Sequence, residues 1–114
     1  MDGKMTAFAN EWIEAWNSHD LERILSHYSE DVVVISPIAK RLTGNAKIVG
    51  KAALKAYFAK GLEAYPDLHF SLHGVFEGEG SVVLCYENQA GTKAAECMVF
   101  DDEGKVVKMR AHYV

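Results

Sequence analysis

The spacing of apolar side chains changes character at Pro66, and that change constrains the fold more than any other feature. Upstream, Phe8, Trp12, Ala15 and Trp16 recur at the period of an amphipathic helix, which places a helix at about residues 4–17. Leu21, Ile24, Leu25 and Tyr28 repeat the pattern after the Asn17-Ser18-His19 break. They predict a short second helix with Asp20 and Glu22 in its first turn, where the helix dipole favours negative charge. Val32 to Ser36 is a β-branched run stopped by Pro37, which reads as a strand, and residues 38–50 read as irregular. Leu54, Tyr57, Phe58, Gly61 and Leu62 restore the helical period up to Tyr65-Pro66-Asp67, giving a third helix. Downstream the period becomes two, over four runs near 68–76, 81–88, 93–100 and 105–113 separated by Gly-containing turns. Three helices followed by an antiparallel meander predict an α+β architecture in the order ααβαββββ.

With 114 residues, 49% of them hydrophobic, the chain has material for one core, so residues 1–114 are expected to form one domain. The formal charge of −4, without a Lys or Arg cluster, offers no footprint for nucleic acid or anionic lipid. No window reaches the length of a membrane span, and the first residues lack an apolar secretory core, so a cytoplasmic location is expected. Two cysteines without CxxC spacing point to reduced thiols.

Four stretches carry a family resemblance: Trp16-Asn17-Ser18-His19-Asp20-Leu21, Tyr28-Ser29-Glu30-Asp31, Tyr65-Pro66-Asp67-Leu68 and Gly104-Lys105-Val106-Val107. With the order of elements, they make nearly the whole chain resemble the nuclear-transport-factor-2-like superfamily. Within it the chain is most similar to the SnoaL-like polyketide cyclases, by Pro66-Asp67-Leu68, and to the ketosteroid isomerases, by Lys105 to Ala111. The resemblance implies a cone in which a strongly curved sheet wraps a long helix around an apolar cavity. It also implies a homodimer and, for an enzyme of SnoaL-like type, no cofactor.

Centring the third hairpin on Gly91 pairs Tyr86 with Glu96 and Leu84 with Met98 on one face. Cys85 with Cys97 and Val83 with Val99 then share the other. One face is expected to be a pocket wall, extended by Met109, Ala111 and Tyr113, and the other a dimer surface carrying Lys108, Arg110 and His112.

Glu96 is the first candidate for chemistry, because it is the one acid in an otherwise apolar row and burial would raise its pKa. It also matches the position at which ketosteroid isomerases hold a protonated acid beside an oxyanion. The alternative is a structural glutamate that is partly exposed or tied to an arginine. The isomerase resemblance breaks at three other positions. The basic Asp before Pro is Ser36, whose hydroxyl has no useful basicity near neutral pH without an activating base. The oxyanion tyrosine of the first helix is Trp12, a weaker donor. Its supporting tyrosine on the third helix is Phe58, with Tyr57 adjacent.

The expected catalytic set is therefore Glu96, Trp12 and Tyr57. The expected binding lining is Tyr28, Ser36, Phe58, Leu84, Tyr86, Met98, Met109 and Tyr113, suited to a small apolar, aromatic or polycyclic molecule. The bland reading of the aromatics is core filler.

His69 and His73 alternate with Leu68, Phe70 and Leu72 as on a strand, roughly 13 Å apart, too far to share an ion. His19 fits the helix break, His27 an exposed helical position, and His112 the non-pocket face. Three functions fit these residues: a cofactor-free isomerase or cyclase of SnoaL-like type, a non-catalytic binding module, or an interaction protein using its sheet face.

Overall fold

The computed structural model describes residues 3–114. Four helices and six strands follow in the order α1 (Lys4–Ser18), α2 (Leu21–Leu25), β1 (Tyr28–Ile35), α3 (Pro37–Thr43), β2 (Lys47–Val49), α4 (Lys51–Ala64), β3 (Ser71–Gly78), β4 (Ser81–Glu87), β5 (Lys93–Phe100) and β6 (Val106–Tyr113). The strands form one sheet in the order β2-β1-β6-β5-β4-β3. It is antiparallel except where β1 and β6 run parallel. The expected α+β cone is the observed architecture. No described helix is long and apolar enough to cross a membrane.

Helix α1 buries Ala9, Trp12, Ile13, Ala15 and Trp16, one apolar stripe at the helical period, and lies against β3. Its end explains the Trp16-Asn17-Ser18-His19 motif. His19 closes the helix in the left-handed conformation at φ 59°, and its ring nitrogen Nε2 lies 2.8 Å from the Leu68 carbonyl. Asn17 does more: its Nδ2 donates to the Phe70 carbonyl at 2.9 Å, and its Oδ1 accepts from the Phe70 N–H at 2.7 Å. One amide side chain thereby satisfies both backbone groups of Phe70, as a neighbouring strand would, and pins the segment that leads into β3.

Three expectations about local structure are corrected. Residues 38–50 are not irregular but hold α3 and β2. Ser36-Pro37, which ends the strand as expected, also starts a helix: the Ser36 hydroxyl accepts from the Ile38 and Ala39 N–H groups, and Pro37 occupies the first turn, where its missing N–H costs nothing. Tyr28 belongs to β1 rather than to the second helix, which ends at Leu25. Third, the β4–β5 register is displaced by two residues, so that Leu84 faces Glu96, Tyr86 faces Ala94 and Val83 faces Cys97. The turn spans Asn88 to Thr92, with the Asn88 side chain accepting from the Ala90 and Thr92 N–H groups and Gly91 at φ +79°, so the symmetry centre is Ala90. A shift of two leaves every side chain on its expected face, because the strand period is two. Cys85 and Cys97 share the outer face but are not directly opposed.

Three register irregularities bend the sheet. One lies in β1 between Tyr28 and Val33, one in β3 between Leu72 and Gly74, and one where β5 and β6 part between Val99 and Phe100. An extra residue on one strand increases local twist and turns the sheet around the helices.

Candidate functional site

The hollow of the cone contains a cavity of about 260 Å³. Its apolar walls come from Trp12 and Trp16 of α1, Phe58 of α4, Phe70 ahead of β3, and Met109 and Ala111 of β6. Trp12 stacks on Phe70 at 5.8 Å between centroids with 18° between planes, and Trp16 meets Phe58 edge-on at 4.7 Å. Ala111, directly across from Glu96 on β6, contributes only a methyl group to the wall.

Glu96 projects into this cavity from the middle of the sheet and is 3% exposed. Its Oε1 accepts a hydrogen bond from the Tyr86 hydroxyl at 2.7 Å, while Oε2 is buried without a partner. Burial pushes the carboxyl from the ordinary glutamate value of 4.5 to about 7, against the opposing pull of the Tyr86 hydrogen bond. Neutral and ionised forms therefore coexist at neutral pH. Burial also raises the phenols of Tyr57, Tyr86 and Tyr113, which stay protonated and can donate.

Of the residues expected at the site, Glu96, Trp12, Tyr57, Ser36, Phe58, Tyr86, Met109 and Tyr113 line the cavity together. Tyr28, Leu84 and Met98 do not: all three are fully buried in the packing beneath its floor. Tyr28 lies there because β1 rather than a helix carries it, and its hydroxyl bonds to Trp12 and faces the Met109 sulfur at 3.6 Å.

Trp12 offers the cavity its ring face only. Its Nε1 is spent on the Tyr28 hydroxyl at 2.9 Å. The unpartnered indole N–H belongs to Trp16, one helical turn further on, which is buried and lines the same cavity. Ser36 is likewise committed: its hydroxyl caps α3 and stands 3.4 Å from that of Tyr57. Trp16 was legible only as a helix-face residue, while Arg41 and Tyr65 at the mouth lacked a signal, the first lying in the stretch read as irregular.

The histidines stand apart from the cavity. His27, expected to be exposed, is half-buried, packs edge-on with Phe8 and lies 3.1 Å from Glu11. His73 is on β3 and His69 just before it, both exposed.

The description "SnoaL-like domain" matches residues 9–113. This chain belongs to the SnoaL-like domain family. A SnoaL-like protein of unknown function from Burkholderia thailandensis is 36% identical, with a TM-score of 0.95 over 100% of this chain and 97% of the other. Two neighbours in fold are more distant in sequence. TerC, crystallised with polyporic acid, is 17% identical, with a TM-score of 0.80 over 97% of this chain and 92% of its own. SalBIII, described as an epoxide hydrolase/cyclase-like enzyme in pyran ring formation in the polyether salinomycin, is 18% identical, with a TM-score of 0.77 over 99% and 92%. No curated protein matches.

Proposed function

We propose that this SnoaL-like domain takes a small aromatic or cyclic carbonyl compound into its cone and acts on it, without a cofactor, as an isomerase or cyclase with Glu96 as the acid. The observation that carries this reading is the unpartnered Oε2 of Glu96, a buried carboxyl whose residue lines an aromatic cavity. A buried polar atom without a partner is costly, and a ligand hydroxyl or carbonyl would supply the missing bond.

In its neutral form the carboxyl donates from Oε2 to a ligand carbonyl oxygen and polarises the C=O bond. In its ionised form it accepts a proton from carbon or hydroxyl. A pKa near the working pH suits a single group that gives and takes one proton in successive steps. Tyr86 holds the carboxyl in place through Oε1. The Tyr57 hydroxyl orients the ligand, while Trp12, Trp16 and Phe58 supply ring faces. Steroid isomerisation by the familial route is not part of this reading, since Ser36 replaces the base and its hydroxyl is committed to capping α3.

The test is turnover of a cyclic ketone or polyketide-like substrate found by screening. Glu96→Gln should abolish it while ligand binding, read by calorimetry, survives. Turnover undiminished in the variant rules out the assignment. Ligand released unchanged by both proteins would favour the binding-module reading. The open cavity weighs against a chain that works only through its surface.

A second copy on the outer sheet face is also proposed. Phe76 is 63% exposed and Val99 38% exposed, on the same face as the half-buried Val83, Cys85 and Cys97. Contiguous exposed apolar surface of this kind marks association sites. Native mass spectrometry should read a dimer that Phe76→Lys converts to monomer, and a wild-type monomer at micromolar concentration would dismiss it.

A further inference from the structure

The cavity is polar at both ends, with Glu96 at the inner one. At the outer end stands Arg41, the one cationic residue in the lining. It sits on the last turn of α3, the helix that Ser36 caps, and its Nη2 donates to the Tyr65 hydroxyl at the C-terminus of α4 at 2.6 Å. Its guanidinium therefore bridges two helices across the mouth. Among the described residues no carboxylate lies within ion-pairing distance of it. Arg23 provides the contrast, since Glu11 and Glu14 hold it at 2.7 and 3.5 Å. Arg41 also acts inward, because its charge favours ionisation of the Tyr57 phenol, which burial otherwise opposes.

A guanidinium has five N–H donors arranged for planar, two-point recognition of an oxyanion, and a single neutral phenol leaves most of them open. The remaining polar residues at the mouth, Asn88, Gln89 and Thr92, are neutral and do not compete for it. The size of the hollow adds a second restriction. About 260 Å³ falls just below the ~300–1,000 Å³ usual for drug-sized ligands. It suits a flat system of a few fused rings rather than a long chain or a large polycycle.

Resting on the cavity-ligand reading above, we infer that the natural ligand is a flat ring acid: its anionic group meets Arg41 at the mouth, its rings lie among Trp12, Trp16, Phe58 and Phe70, and a hydroxyl or carbonyl at its far end meets Glu96. The same polarity sets the direction of entry. The charged end stays at the water interface, and the reacting end reaches the buried carboxyl.

The test uses 6-hydroxy-2-naphthoate and its methyl ester as probes, which share rings and far-end hydroxyl and differ in the charge at the mouth. Isothermal titration calorimetry of the whole chain at pH 7 should give an acid that binds roughly tenfold more tightly than the ester, as expected for a partly exposed charge-assisted contact. Arg41→Gln should erase that preference, so that acid and ester bind alike, and Arg41→Lys should keep part of it. Arg41 is exposed, so neither variant threatens the core. Equal binding of acid and ester by the wild type, or a preference that persists in Arg41→Gln, overturns the inference and leaves the cavity-ligand reading intact. Binding of neither probe defeats both.

Discussion

Glu96→Gln should make the protein more stable at pH 8 than the wild type, and the advantage should vanish in acid. A carboxyl whose folded pKa is raised from 4.5 to about 7 holds its proton more tightly folded than unfolded. Between those two values the folded state binds more protons, so wild-type stability falls as pH rises through the window, and above it the full cost is present. Each pH unit contributes about 1.4 kcal/mol, giving about 3 kcal/mol across the window. Glutamine carries no charge, and its carbonyl can still accept from Tyr86. Any fixed cost of placing an amide there is independent of pH and cancels when the change across the window is compared. Glu11, held low by its hydrogen bond to Arg23, titrates in the opposite sense but equally in both proteins. Urea melts of the two proteins at pH 4.5, 6 and 8 measure the difference. Parallel stability curves would mean that this carboxyl ionises as if in water.

Trp12→Ala should cost about 3–5 kcal/mol, out of a total of ~5–15 kcal/mol for a domain of this kind. Trp12 is 1% exposed and touches three other rings, with centroids 5.8 Å from Phe70, 5.5 Å from Tyr86 and 6.2 Å from Trp16. Alanine removes those contacts and leaves the buried Tyr28 hydroxyl without the indole N–H that donates to it. Trp12→Phe separates the two effects: it keeps most of the ring packing and loses only the hydrogen bond, for about 1 kcal/mol. Urea midpoints of the three proteins give the ordering. A cost below 1 kcal/mol for alanine would show that the aromatic stack is not what holds α1 to the sheet.

Periodicity alone made the long elements legible. Helices α1 and α4 and the four-strand meander each bury one face against water, so their spacing had to appear among the apolar residues. The elements that escaped detection lack such a stripe. Helix α3 buries only Ala39, and β2 only Ile48, so neither advertises a period, and their evidence lay in the polar chemistry of Ser36-Pro37. The hairpin shows the same division. Face assignment survived a register error because both alternatives differ by a whole period, whereas the register itself was set by the Asn88 side chain binding two backbone N–H groups.

At the site, the acid was legible as an interruption in an apolar row. Which indole donates was not, since Trp12 and Trp16 share one stripe of α1 and both lie near the Tyr28 hydroxyl, which only Trp12 meets in full hydrogen-bond geometry. The role expected of Tyr28 failed for a related reason: its spacing from Leu21 and Leu25 mimics a helix, yet the chain has already become a strand there.

The parallel pairing of β1 with β6 joins Val33 to Lys108 and Ile35 to Arg110, across most of the chain. During synthesis, β1 has to wait for β6 to emerge from the ribosome before its open edge is covered, and β5 waits likewise. Such distant closure is slow. Until then the apolar strands are exposed to chance partners, and the interval lengthens with every residue that separates β1 from β6.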